Sequence, residues 1–174
     1  TPFSPIGAGM YSTFYINETG QISGRGSWLV NGTNPTPFTT VAPDTTSALT
    51  FPGHETSKVK ALSAGSDHAL VLLEDGTVWV FGQSTTTVGT TATTATNSPL
   101  QIPLPQDATD IALGAGVPGH GWILLEDGNV SQIDIEYYGA NVYDIKVKNG
   151  VHSGVTAVSA GRFHGLALRV DGTV

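Results

Sequence analysis

The chain has 174 residues and a net charge of −7, and only 12% of it is charged, about half the roughly 25% of an average soluble domain. Its 22 Gly, 23 Thr and 10 Pro disfavour a helical bundle and favour short β-strands divided by turns. The acidic balance counts against a nucleic-acid partner, the absence of Cys excludes disulfides and thiol chemistry, and no apolar run reaches the roughly 18 residues of a membrane span.

In chain order, Thr1 stands without a basic-plus-apolar leader, so a removed leader or a larger parent polypeptide is expected. Residues 6–26 then open a motif that recurs at 62–82, 113–130 and 158–174. Each copy is an apolar strand, an Ala-Gly pair, a second apolar strand, a turn glycine and a return strand. The Ala-Gly glycines are Gly9, Gly65, Gly116 and Gly161; the turn glycines are Gly20, Gly76, Gly128 and Gly172. They lie 11, 11, 12 and 11 residues apart, the extra residue falling near Val117-Pro118-Gly119. Ala-Gly has almost no side chain, so another backbone can approach it closely. The continuous run Ala69–Leu73 predicts a strand buried on both faces. Asp-Gly predicts a two-residue turn with positive φ.

Between the copies the chain is polar. Residues 31–57 and 84–99 are expected to be loop insertions on the surface, the second holding eight Thr. Residues 131–150 predict two further strands, Ile133, Ile135 and Tyr137 alternating with Asp134 and Glu136. The chain stops two residues into a return strand, at Val174. A hairpin needs that strand for its backbone bonds, so further chain or another subunit is expected to complete it. The fold class is therefore all-β: antiparallel sheets in series, each covering its neighbour, as in a propeller or solenoid.

The pattern Ala-Gly-x-x-His-x-x-x-Leu-x-x-Asp-Gly-x-Val-x-x-Phe-Gly, as it stands in residues 64–82, resembles the repeat of the regulator of chromosome condensation family. Residues 158–174 fit it as far as they extend. Residues 113–130 fit with one insertion, and residues 6–26 diverge, with Ser12 at the His position and Thr19 in place of Asp. The resemblance implies a partial β-propeller of about four antiparallel four-stranded blades, a fragment or half of a roughly seven-bladed ring.

The recurring His68, His120 and His164 are expected to be structural, bonding backbone between strands or the neighbouring sheet. A metal ring is the alternative, and Ser12 breaks it. His54 and His152 lie in connectors without an Asp/Ser pattern suggesting a triad. Asp75, Asp127 and Asp171 fit as turn residues that bond local N–H groups. Asp134 and Glu136 are expected to match Lys146 and Lys148 across strands. Trp28, Trp79 and Trp122 read as core or blade-interface residues rather than a ligand cage. No catalytic residue, cofactor or metal site is assigned.

Three sequons, at Asn17, Asn31 and Asn129, are candidate N-glycan sites on a secretory route. Thr85, Thr86, Thr87, Thr90, Thr91, Thr93 and Thr94 are candidate O-glycan sites. These features predict a non-enzymatic scaffold or protein-binding module of a larger secreted or surface-displayed assembly, with protein partners, no nucleic acid and no membrane insertion. The family resemblance implies an alternative, a cytoplasmic exchange-factor-like regulator of a small GTPase. A third reading is a propeller-type enzyme inhibitor anchored by Phe38, Phe51, Tyr137 and Tyr138.

Overall fold

The computed structural model describes residues 6–8, 12–16, 22–26, 51–82, 85–96, 99–116, 119–138 and 142–174. Gly9, Asn17, Gly20, Trp28, Asn31 and Phe38 lie outside them, as do residues 31–50 of the first insertion. The described residues form four sheets in chain order, one for each sequence repeat. The first holds β1 (Ile6–Ala8), β2 (Ser12–Ile16) and β3 (Ile22–Gly26). The second has the order β4 (Val59–Ala64), β5 (His68–Leu73), β6 (Val78–Gly82) and β9 (Leu100–Gln101), the four-stranded antiparallel blade expected.

The third sheet departs from expectation. Its blade strands are β10 (Ala108–Leu113), β11 (Gly119–Leu125), β12 (Val130–Tyr137) and β13 (Tyr143–His152). Two more strands extend it beyond β13, namely β7 (Thr85–Val88) and β8 (Thr91–Thr96). These come from the Thr-rich tract read as a loop. Thr is β-branched and packs well on a pleated surface, so the tract folds as a hairpin, and β7 pairs in parallel with β13. The fourth sheet holds β14 (Val155–Ala160) and β15 (Gly165–Arg169).

Burial follows the stacking. All six residues of β5 are buried, as the unbroken apolar run requires. Leu70 and Leu72 enter a core shared with Ile111, Leu113, Ile123 and Ile133 of the third sheet. Val71 and Leu73 point the other way, into a core with Phe14 and Ile22 of the first sheet. Leu124 and Val130 meet Val155 of the fourth. The second and third sheets each bury both faces against their neighbours, which is propeller packing. On the outer face of the fourth sheet, Leu166, Leu168 and Val170 are exposed. By repeat position the first two correspond to Leu70 and Leu72.

Candidate functional site at the junction of the second and third sheets

The first strands of successive sheets contact one another, β1 with β4, β4 with β10, and β10 with β14. Here the small residues act. A Cβ on Gly65 would lie 2.9 Å from the Gly114 carbonyl oxygen, and one on Gly114 would lie 2.0 Å from that of Gly161. The close approach predicted for the Ala-Gly pair is present at Gly65. In the third repeat Gly114 has this role, one residue before the pair, a position the motif did not single out. Across the same seam the Leu113 N–H donates to Ser63 Oγ at 2.8 Å. Ser66 Oγ donates to the Ala115 carbonyl at 2.9 Å.

Outward from this seam, Asp67, His68, Thr85 and Tyr143 come together. His68 is 1% exposed, and its Nε2 lies 3.0 Å from Thr85 Oγ1. Its ring meets that of Tyr143 edge-on at 4.8 Å. The Tyr143 hydroxyl donates to Asp67 Oδ2 at 3.2 Å. Burial raises the Asp67 pKa, and the Tyr143 bond only partly offsets it. Burial and the Asp67 charge both raise that of Tyr143, so the phenol stays a donor. Asp67, His68 and Tyr143 border a cavity of about 10 Å³ with Gly65, Gly114, Gly116 and Gly119, at the lower limit for one water molecule. Thr85 and Tyr143 belong to the third sheet, so this cluster fastens two blades together.

The histidines share a backbone role more than a side-chain one. The carbonyls of His68, His120 and His164 accept from the N–H of Gly65, Gly114 and Gly161, each at 2.8 Å. Their imidazoles diverge. His68 reaches a hydroxyl of the neighbouring sheet, where a backbone partner had been one expectation. His120 Nδ1 lies 2.7 Å from Asp134 Oδ1 within its own sheet. His164 is exposed and lies over Gly161. No group of three or more metal-ligating side chains is found among the described residues.

At the opposite ends of the strands, Gly76, Gly128 and Gly172 adopt φ of 83°, 78° and 83°. The turns are three-residue loops, correcting the predicted two, because Leu73 N–H bonds the Thr77 carbonyl and Gly76 N–H bonds that of Leu73. Asp75, Asp127 and Asp171 each accept the backbone N–H two residues on, at 2.9–3.0 Å. Asp75 also holds His54 Nδ1 at 2.7 Å, a pairing hidden by a separation of 21 positions along the chain. Burial pushes Asp75 up, but bonds from Thr77, His54 and Ser57 outweigh it and hold the carboxyl at about 2.

Other expectations change. Thr85 is buried and bonded to His68, so it is not available to a glycan in this fold. Thr86 donates to Asp144 Oδ1 at 2.8 Å, and Thr87 is half-buried, whereas Thr90 and Thr91 are exposed. The side chains of Thr93 and Thr94 lie outside those described. Asn129 donates to Asp127 at 2.6 Å, and Ser131 of its sequon is fully buried. Phe51 is buried against Trp79 and cannot be an anchor, while Tyr137 and Tyr138 are exposed. The register sets Lys146 opposite Asp134 as predicted, but Lys148 faces Gln132 and Glu136 faces Asp144. Lys146 pairs with Asp144 at 3.8 Å, because Asp134 is held by His120 and Gln132.

Repeated sheets stacked face to face, joined by glycine seams near their first strands, define a β-propeller segment. Residues 59–86, covering β4 to the start of β7, match the Regulator of chromosome condensation (RCC1) repeat. Prp20p of Saccharomyces cerevisiae, a protein described with its binding to Gsp1p and histones, superposes with a TM-score of 0.69 at 17% identity, over 96% of this chain and 42% of that one. Yeast RCC1 (Prp20) bound to Kap60 gives 0.63 at 16% identity, over 96% and 41%. Human WBSCR16 gives 0.64 at 18% identity, over 99% and 48%. The chain spans less than half the length of each. No curated protein matches it by sequence. The chain carries an RCC1-type repeat and folds as an RCC1-like partial β-propeller.

Proposed function

We propose that the chain is a non-enzymatic, protein-binding scaffold module, part of a larger propeller displayed outside the cell. One observation carries this reading. Most of the polar residues that the motif repeats are engaged in internal bonds: His68 between sheets, His120 with Asp134, and Asp75, Asp127 and Asp171 in turns. What faces solvent is a set of turns and exposed rings, such as Tyr137 and Tyr138, features that suit contact with another macromolecule. The exposed Thr90 and Thr91 are the best-placed carriers of an O-glycan. Intact-mass measurement on native material tests the extracellular part, with added hexose mass expected and a bare mass refuting it. Cross-linking of the same material is expected to join residues near Tyr138 to another polypeptide; no such cross-link would refute the scaffold.

The likeness to Prp20p, described with its binding to Gsp1p, favours a second reading, a regulator of a small GTPase. Accelerated nucleotide release from a small GTPase would establish it and displace the scaffold.

A further inference from the structure

Successive sheets meet through the same two repeat positions at every junction. Phe14, Leu70, Trp122 and Leu166 each stand six residues before a turn glycine, and Tyr15, Val71, Ile123 and Ala167 stand five before. Phe14 shares a core with Val71 of the next sheet, Leu70 with Ile123, and Trp122 packs in the cluster that takes Ala167. Each sheet thus sends its six-before residue onto the five-before residue of its successor. Leu166 holds the sending position on the fourth sheet, but it is 55% exposed and Leu168 41%, where Leu70 and Leu72 are both at 0%.

The matching seat lies on the first sheet. Its register sets Ala8 opposite Thr13 and Gly7 opposite Phe14. Strand alternation therefore puts Ala8, Thr13 and Tyr15 on the face turned away from the second sheet. Ala8 and Thr13 are exposed, whereas their repeat counterparts Ala64 and Ala69 are buried against the first sheet. The seam has the same complement. Ser63 Oγ accepts the Leu113 N–H of the next sheet. Ser159 stands at the position of Ser63 and is exposed, and Ile6 stands at that of Leu113.

We propose that two copies of this chain close one ring, the fourth sheet of each docking on the first sheet of the other. Leu166 and Leu168 then pack on the partner subunit's Tyr15, and Ser159 Oγ accepts the N–H of the partner subunit's Ile6. This continues the seam that runs through β1, β4, β10 and β14. Four sheets per copy make eight, within the range of propellers, and a two-fold axis relates the two junctions so that each exposed face is used once. The ring deepens the scaffold reading by naming what completes the propeller.

Sedimentation velocity on the 18.0 kDa chain is expected to show a dimer, and nothing larger, as concentration rises. Leu166→Lys with Leu168→Lys spoils the sending face, and Ala8→Lys with Thr13→Lys spoils the seat. Each double variant alone should dimerise at least about tenfold more weakly than wild type. Mixed in equal amounts they should recover a dimer, because one junction then joins two intact faces. All four positions are exposed, so circular dichroism should stay that of the wild type; Leu166→Gln with Leu168→Gln replaces the Lys pair if it does not. A wild-type chain that stays monomeric overturns the ring, while the cross-link expected near Tyr138 remains a separate test of the scaffold. Growth beyond the dimer overturns closure. A seat variant that dimerises like wild type, or a mixture that recovers nothing, overturns the pairing of fourth sheet with first.

Discussion

Gly114→Ala should open the seam between the third and fourth sheets. The new Cβ would lie 2.0 Å from the Gly161 carbonyl oxygen, where ordinary contact begins near 3.4 Å. The two backbones must therefore separate by about 1.4 Å. Overpacking of well-fitted contacts costs about 1–3 kcal/mol, and a clash with backbone belongs at the upper end because no side chain can rotate away. Replacing Gly by Ala also removes unfolded-state entropy, which returns about 0.4–1 kcal/mol. The net expectation is a loss of about 2 kcal/mol, or about 6 °C in Tm for a chain of this length. Gly65→Ala is the internal control. Its Cβ would lie 2.9 Å from the Gly114 oxygen, a deficit of only about 0.5 Å, so its loss should be under about 1 kcal/mol. Urea unfolding followed by tryptophan fluorescence reads both, Trp122 lying against Gly165 at the third–fourth junction. A Gly114→Ala chain as stable as wild type, or a Gly65→Ala chain less stable than Gly114→Ala, would show that backbone contact does not set the sheet spacing.

Three further outcomes are expected. Asp75→Asn should lower stability at neutral pH by about 1 kcal/mol, after discounting for the partial exposure of the His54–Asp75 pair. Because the Asp75 carboxyl is depressed from 3.8 to about 2, its contribution is present above pH 3.8 and lost as pH falls toward 2, so wild-type and variant melting curves should converge there. Tyr143→Phe strips the half-buried Asp67 of its donor and should cost about 1–2 kcal/mol; since burial already raises Asp67, the loss should shrink as acid neutralises that carboxyl, as a pH series of melts would show. Thr85→Val removes the hydroxyl beside His68 Nε2 at nearly constant volume and should cost about 1–2 kcal/mol, read as a shift in urea midpoint.

Much of the blade was legible in the residues. The run Ala69–Leu73 required burial on both sides, and β5 has it. The turn glycines announced positive φ, and Gly76, Gly128 and Gly172 show it. The Asp before each glycine bonds the local N–H groups expected of it. These features are legible because they are local, each set by neighbours a few residues away.

The inter-sheet site was not legible in the same way. Its members Asp67, His68, Thr85 and Tyr143 span 76 residues, and no spacing rule links a hydroxyl in a Thr tract to a histidine of the preceding sheet. The tract is polar enough to suggest a loop, yet its β-branched Thr side chains suit a pleated strand. Parallel pairing with β13 satisfies one edge of β7, and Thr85 and Val88 become buried in consequence. The His54–Asp75 pair was missed for the same reason of distance along the chain.

The sequence by itself determined the repeat, the sheets built from it and the turns that close them, because each depends on side-chain periodicity and on glycine at positions only glycine tolerates. The tertiary structure decided which sheet the Thr hairpin joins, which glycine fills the third seam, and which partner each histidine finds. Those choices arise only when separate sheets are pressed face to face, where a buried polar group must take the nearest partner that packing supplies.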